Sequence, residues 1–179
     1  MSTKDLNAIA RIEDEIAKIV NPEYTGSPIY PTLNITYNGI VLKEGVHYEL
    51  VKEECDCTTA SALKDAATST YEADRYVTIR GIGKYFTGTR KIPFSIIPRR
   101  IVNGRVEVQN LNIDRHFAGK PVTLDPLKIT YVYTYPNGNL LELELTENDC
   151  TWLYENNDKP GEATLRITGK GNYAMTVDK

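Results

Sequence analysis

Gly81-Ile82-Gly83-Lys84-Tyr85 recurs 88 positions later as Gly169-Lys170-Gly171-Asn172-Tyr173, and this repetition decides the fold. The first copy is introduced by Tyr24-Thr25-Gly26 and the second by Phe117-Ala118-Gly119. Between these markers lie β-branched and aromatic segments interrupted by Gly, Asn and Pro. An internal repeat indicates that each copy is one folding unit. A duplicated all-β unit that lacks a polar constellation is typical of spacers, adhesive modules and particle components rather than of enzymes.

A turn signal of the same kind occurs in both copies. Asn38-Gly39 separates two alternating apolar runs in the first copy, and Asn137-Gly138 does so in the second. Both residue types tolerate a positive φ, so the pair predicts a β-hairpin. We therefore expect an all-β protein with two domains, residues 1–98 and 99–179, joined near residues 98–104.

The remaining strand-like segments also match in order. Tyr48–Val51 corresponds to Cys150–Tyr154, and Tyr76–Arg80 corresponds to Ala163–Ile167. Alternation along a strand places every second side chain on the inner face. The side chains predicted to be buried are Ile35, Tyr37, Val77, Ile79, Ile129, Leu165 and Ile167.

The first 23 residues give two conflicting signals. Ile9, Ile12, Ile16 and Ile19 keep helical spacing. The matching segment before the second copy, 105–113, alternates and predicts a strand. Repeat logic favours a first strand within residues 8–20, with a short leading helix as the alternative.

Composition excludes several classes of function. Of the 179 residues, 41% are hydrophobic and 25% charged, as in ordinary globular proteins. The formal net charge is −3, and Arg99-Arg100 is the densest basic group, so nucleic-acid binding has no electrostatic basis. No apolar run approaches the roughly 18 residues of a membrane span, and the polar N-terminus does not read as a signal peptide. The chain therefore either folds in the cytoplasm before joining an assembly or is part of a longer exported protein.

The three cysteines, Cys55, Cys57 and Cys150, are too few for a disulfide framework, and an odd number argues against one. Cys55-Asp56-Cys57 resembles a metal or redox motif, but a four-ligand zinc site needs two more ligands nearby. His47 and His116 are the only other candidates besides Cys150. We expect free thiols and no metal or cofactor.

Other candidate sites have plain structural interpretations. A phosphate-binding loop at Gly81 or Gly169 would need a third glycine and a following helix, whereas strand-like sequence follows. The acidic runs Glu13-Asp14-Glu15 and Glu53-Glu54 are interpreted as surface charge rather than calcium ligands. Trp152 and the tyrosines are interpreted as core packing, with a sugar-stacking face as the alternative. We expect no catalytic residues.

One segment breaks the symmetry of the two copies. Residues 52–75 are polar, rich in Ala, Thr and Ser, and longer than the equivalent 155–162. A long insertion is either functional or mobile. Its centre, 60–67, has the composition of a short helical turn. We expect a contact loop whose residues 56–72 are dispensable for folding.

The motifs together resemble the bacterial immunoglobulin-like repeats found in surface proteins of Gram-positive bacteria. The first copy carries Tyr24-Thr25-Gly26, Ile29-Tyr30-Pro31, Asn38-Gly39, Gly45-Val46-His47-Tyr48 and Gly81-Ile82-Gly83-Lys84-Tyr85. The second carries Asn137-Gly138, Asn148-Asp149-Cys150, Tyr154-Glu155-Asn156-Asn157, Gly161-Glu162-Ala163 and Gly169-Lys170-Gly171-Asn172-Tyr173. His47 departs from the Asp of the repeat, Cys150 departs from its Tyr, and Ala174-Met175-Thr176 departs from its Tyr-x-Gly-Thr ending.

This resemblance implies two tandem immunoglobulin-like β-sandwiches with a non-catalytic structural or adhesive function. The expected location is a bacterial cell surface, with a protein or cell-surface partner. A phage virion structural or decoration protein is the close alternative, since such a protein folds in the host cytoplasm and needs no export signal. A carbohydrate-binding accessory module is a further alternative.

Overall fold

The computed structural model describes residues 4–5, 19, 21–84 and 86–179. The chain divides into two compact units, unit 1 (Met1–Ile97) and unit 2 (Pro98–Lys179). The first strand expected within residues 8–20 and the acidic run at 13–15 lie outside the described residues. The described residues contain no α-helix, and their regular structure is β, which confirms the all-β class for this part of the chain.

The described residues of unit 1 form nine short strands and one 3-10 turn, Lys52–Glu54. The strands are β1 Lys4–Asp5, β2 Thr36–Tyr37, β3 Ile40–Val41, β4 Tyr48–Leu50, β5 Leu63–Asp65, β6 Thr70–Tyr71, β7 Arg75–Gly81, β8 Phe86–Thr87 and β9 Thr89–Phe94.

The predicted hairpin of unit 1 is present. β2 and β3 pair antiparallel around Asn38 and Gly39, whose φ angles are 49° and 76°. Two successive positive φ values are the signature of a type I′ turn, the turn that Asn-Gly favours. The expectation from the Asn-Gly pair is confirmed.

The main sheet of unit 1 has the order β4-β7-β9, with β7 at its centre. Val77 and Ile79 of β7 are fully buried beside Ile92 and Phe94 of β9. The hairpin contributes Ile35 and Leu42 to the same core cluster. The sheet and the hairpin therefore enclose one shared core.

Unit 2 has eight strands in two three-stranded sheets and one short pair. The strands are β10 Arg99–Arg100, β11 Val106–Val108, β12 Ile129–Thr134, β13 Leu140–Leu145, β14 Cys150–Glu155, β15 Thr164–Gly169, β16 Tyr173–Ala174 and β17 Thr176–Asp178.

The two sheets of unit 2 share one core, which gives the unit a sandwich-like construction. The sheet β11-β12-β13 contributes Ile129, Tyr131 and Leu145, and the sheet β14-β15-β17 contributes Leu165 and Ile167. Along these strands, successive side chains point alternately to the core and to solvent, as in an antiparallel sheet with one buried face. On the solvent side of the second sheet, Arg166 bonds both Glu155 and Asp178 and so ties its three strands together.

Six of the seven side chains predicted to be buried are at most 2% exposed. The exception is Tyr37, which is half-buried. It lies beside the turn of the β2–β3 hairpin, where its ring contacts Phe86 edge-on at 5.7 Å. The predicted burial is confirmed for the other six residues.

The repeated glycine segment has the same role in both units. β8 pairs parallel with β1, and β16 pairs parallel with β10. The Gly81 N–H donates to the Gly88 carbonyl at 2.9 Å, and the Gly169 N–H donates to the Met175 carbonyl at 2.9 Å. Each glycine is therefore the last residue of one strand, β7 or β15. Its N–H bonds to the residue that directly follows the next short strand, β8 or β16.

These bonds also correct the alignment of the two copies. Seven positions separate Gly81 from its partner Gly88, whereas six separate Gly169 from Met175. The structural counterpart of Tyr173 is consequently Phe86, the first residue of β8, and the ungapped match of Tyr85 to Tyr173 is wrong by one residue. Met175 also adopts a φ of 76°, close to the 82° of Gly88.

Gly81 and Gly169 are required because the returning chain crosses them closely. A Cβ at Gly81 would lie 2.6 Å from the Thr87 nitrogen, and one at Gly169 would lie 2.9 Å from the Ala174 nitrogen. Both contacts are with backbone, which cannot swing aside as a side chain can. Only glycine accommodates such an approach.

We expect Gly81→Ala to destabilise unit 1 by about 1–3 kcal/mol, the usual range for forcing extra atoms into a packed region. The measurement is the shift in the denaturant midpoint of the unit 1 transition. Met175→Gly is the opposite change in the matching turn of unit 2 and should leave stability equal or raise it, because it relieves a left-handed methionine. An unchanged midpoint for Gly81→Ala would contradict the proposed crossing.

Candidate functional site

The 52–75 insertion is divided into a docked base and an exposed tip. In the base, Cys57, Ala60 and Ser61 are all less than 9% exposed. The Ser61 N–H donates to the Ile96 carbonyl at 2.8 Å, and the Ser61 hydroxyl accepts from the Ile96 N–H at 2.9 Å. The base therefore belongs to the core of unit 1, which argues against the expectation that residues 56–72 are dispensable for folding.

Arg75 fixes the base from the start of β7. Its guanidinium donates to the Ala60 carbonyl at 2.8 Å, to the Thr59 carbonyl at 3.0 Å and to the Asp56 carboxylate at 3.3 Å. Hydrogen bonds with one charged partner are stronger than neutral ones, especially where the group is mostly buried. One arginine thus holds three points of the insertion.

The tip is the β5–β6 hairpin, where β-structure replaces the expected helical turn. Its turn is closed by Asp65, whose carboxylate accepts from the Thr68 hydroxyl and the Ala67 N–H, each at 2.9 Å. The bond from Thr68, followed by that from Ala67, lowers the pKa of the Asp65 carboxyl. Residues 63–70 are exposed, including Leu63 at 55%. This tip is the longest exposed stretch of the insertion.

The Cys55-Asp56-Cys57 motif does not gather further ligands. Cys55 lies beside β7, where its sulfur accepts from the Thr78 N–H at 3.3 Å and donates to the Val51 carbonyl at 3.3 Å. Cys57 is buried, and burial raises the pKa of its thiol. Among the described residues, no three His, Cys, Asp or Glu side chains converge in a way that would hold a metal. The thiols of Cys55, Cys57 and Cys150 are free in the structure.

Tyr48 and Cys150 occupy the same position in the two units. Tyr48 pairs with Gly81 across β4 and β7, and Cys150 pairs with Gly169 across β14 and β15. Both side chains are buried. Burial raises the pKa of Tyr48, and burial together with the nearby Asp149 raises the pKa of Cys150 to about 11.

His47 accepts a backbone hydrogen bond in unit 1, as Asp149 does in unit 2, although the residue types differ. Its Nδ1 accepts from the Lys43 N–H at 2.9 Å, and the Asp149 carboxylate likewise accepts from the Thr146 N–H at 3.0 Å. The two bonded residues are four positions apart in unit 1 and three positions apart in unit 2. In unit 1 the longer imidazole side chain therefore takes the place of the shorter carboxylate. His116 is exposed. His47 therefore lies in a turn and His116 on the surface.

Trp152 packs partly buried against the core cluster of unit 2. The core interpretation is therefore confirmed for this side chain. Sequence reasoning missed an aromatic group on the other sheet, in which Tyr133 contacts Tyr135 edge-on at 5.0 Å and the Arg105 guanidinium lies 4.6 Å from the Tyr133 ring. The alternation of tyrosines along β12 was the signal available for it.

The remaining motifs behave as surface and turn elements. Arg80 lies 3.4 Å from Glu49 and 4.0 Å from Glu54, so one member of the Glu53-Glu54 run takes part in an exposed ion-pair group. The glycine pairs are followed by β8 and β16 rather than by helices. They therefore lack the helix N-terminus that cradles a phosphate.

Comparison with protein-family models, with curated proteins and with solved structures finds no match. No helix among the described residues is long and apolar enough to cross a membrane. The candidate site is therefore described by geometry alone: an exposed hairpin tip on a docked base in unit 1.

We expect the two parts of the insertion to differ sharply on deletion. Replacing residues 64–70 with a two-residue Asn-Gly turn should leave the unit 1 transition nearly unchanged, because those side chains are exposed. Deleting residues 56–72 should abolish cooperative unfolding of unit 1, because it removes buried Cys57, Ala60 and Ser61. Thermal unfolding followed by circular dichroism compares the two variants. Equal stability in both would contradict the division.

The buried thiol of Cys150 predicts a loss of stability at high pH. An ordinary cysteine thiol ionises near pH 9.0, whereas folding raises the pKa of Cys150 to about 11. The folded state resists ionisation of this thiol. The resulting contribution of Cys150 to the free energy of unfolding is fully present below pH 9 and is lost as the pH rises toward 11. Denaturant midpoints of unit 2 measured between pH 8 and pH 11 should fall, and Cys150→Val should fall less. The same fall in the variant would assign the effect to other groups.

Proposed function

We propose that this chain is a non-catalytic structural or adhesive module, built from two immunoglobulin-like β-sandwich repeats and presented on a bacterial cell surface. The observation that carries the proposal is that both units are closed in the same way. In each, a short N-terminal strand pairs parallel with the strand that follows the repeated glycine segment. A construction repeated within one chain fits a module whose function is to extend and present surface.

The immunoglobulin-like assignment rests on two features. Two small sheets enclose one core in unit 2, and the first strand of each unit joins the penultimate one by parallel pairing. Within each three-stranded sheet of unit 2, the strands follow in chain order. Antibody domains instead interleave their strands. The proposed relationship is therefore to the bacterial surface repeats whose motifs the sequence resembles.

The proposed contact region is the exposed β5–β6 hairpin tip of unit 1, which has no counterpart in unit 2. Loops that project from a rigid scaffold commonly carry the binding function of such modules. The tip presents Leu63 beside short polar residues on a base anchored by Arg75. A protein or another component of the cell surface is the proposed partner.

A phage virion structural or decoration protein is the second candidate, and the cysteines favour it. Cys57 and Cys150 are buried as free thiols. Free buried thiols suit a chain that folds in a reducing cytoplasm, whereas secreted domains of this size commonly use disulfides.

The test is the location of the protein in its source. Antibodies raised against the chain should label intact bacterial cells, and external protease should remove the label. Labelling of released particles by immunogold electron microscopy would replace the surface proposal with the virion candidate. Detection only after cell lysis, with no particle labelled, would overturn both. A strain lacking the gene is the control for antibody specificity.

A further inference from the structure

Unit 2 is closed by backbone hydrogen bonds between β10, by which the chain enters, and β16, its penultimate strand. The Arg99 N–H donates to the Asn172 carbonyl and the Ile101 N–H donates to the Ala174 carbonyl, both at 2.9 Å. These bonds join β10 to β16 in a parallel pair. β17 follows β16 in the chain after Met175 and ends at Asp178.

The parallel direction determines how this pair responds to a pull. β10 begins one residue after Pro98, and β16 leads through β17 to Lys179. When Pro98 and Lys179 are drawn apart, the two strands slide in opposite directions along their shared axis. The hydrogen bonds between the two strands lie across that axis, so they carry the load together. In an antiparallel hairpin opened at its ends, the bonds would break one after another.

Side chains anchor the same pair in the core. Ile101, Arg99 and Tyr173 are 0%, 4% and 6% exposed, so sliding β10 past β16 must also withdraw buried groups. The Arg99 guanidinium lies 5.4 Å from the centroid of the Tyr131 ring, and the Tyr173 ring contacts Tyr131 at 5.8 Å. The strand pair is therefore held both by backbone bonds and by packing on Tyr131.

Unit 1 ends with a pairing of the same kind. Ile97, its last residue, forms a parallel bridge with Glu23. The Ile97 N–H donates to the Pro22 carbonyl and the Ile97 carbonyl accepts from the Tyr24 N–H, both at 2.8 Å. The chain is thus held by parallel-type backbone bonds both where it leaves unit 1 and where it enters unit 2.

We propose that the β10–β16 pair is a shear clamp, and that bearing tension along the chain is a function of this protein. This inference deepens the proposed function, because a surface module that links two bodies transmits force through its ends. The clamp places load first on the bonds between β10 and β16, including those at Arg99 and Ile101. The rest of unit 2 is loaded only after these bonds break.

The test is single-molecule force spectroscopy on the full chain, held at its two ends between reference domains of known unfolding force. The parent should show two unfolding events. Ile101→Pro removes one donor of the clamp, because proline has no N–H. We expect it to lower the unfolding force of one event, since the remaining bonds of the pair must then carry the whole load.

Ile101→Ala is the matched control, since it removes the same buried side chain but keeps the N–H. For a given loss of equilibrium stability, Ile101→Ala should retain more of the parental unfolding force than Ile101→Pro. Forced unfolding follows the barrier on the pulling path rather than the equilibrium free energy. Equal forces for the two variants would overturn the clamp.

A second pulling direction tests the parent chain and needs no variant of Ile101 to fold. A handle coupled through an azide side chain at position 137, in the exposed turn after β12, and another at Lys179 leave β10 off the path of the load. The force of the unit 2 event should then fall below that for pulling at the chain ends. An equal force would overturn the inference. The unfolding force depends on the fold alone and not on where the protein is located. A low unfolding force combined with antibody labelling of the cell surface would therefore overturn the clamp and leave the proposed function standing.

Discussion

The close backbone crossing at Gly81 and Gly169 is the constraint on which the rest of each unit depends. At these positions the chain leaves a central strand, turns, and returns so closely that a Cβ would meet backbone atoms at less than 3 Å. The crossing sets where the returning short strand lies, and this strand is the one that receives the N-terminal strand in parallel. A side chain at either glycine would therefore displace the strand that closes the unit. The same residue type recurs 88 positions later because the same crossing recurs.

Around this shared crossing, the two units vary by small changes in length that are compensated locally. The span from Lys43 to His47 before β4 is one residue longer than the span from Thr146 to Asp149 before β14, and a histidine nitrogen accepts the bond that an aspartate oxygen accepts in unit 2. Similarly, Gly88 and Met175 both adopt a left-handed backbone, although only glycine does so without strain. These substitutions look like departures from a motif in the sequence, but each preserves a backbone hydrogen bond.

The 52–75 insertion shows how an asymmetric segment can be partly structural. Its base supplies buried residues to unit 1 and is bonded to Ile96, which lies two residues after the end of β9. Its tip is an exposed hairpin whose turn is held by Asp65. Unit 1 has a short β2–β3 hairpin where unit 2 has the longer β12–β13 pair. The two units therefore keep a common closure while their surfaces diverge, as expected for modules that share a scaffold and differ in contacts.

The sequence by itself determined the β class, both Asn-Gly hairpins and most of the core, because these depend on local turn chemistry and on alternation along a strand. Ile35, Val77, Ile79, Ile129, Leu165 and Ile167 are buried as alternation requires. Only the tertiary structure decided the division of the insertion, the match of Phe86 to Tyr173, and the parallel closure of each unit. These features depend on bonds between residues far apart in the chain, such as Arg99 with Asn172 and Ser61 with Ile96. No local pattern encodes such pairs, since polar composition is the same in a docked segment and an exposed one. The physical reason is that backbone groups bond alike whatever their side chains, so only the folded path shows which of them meet.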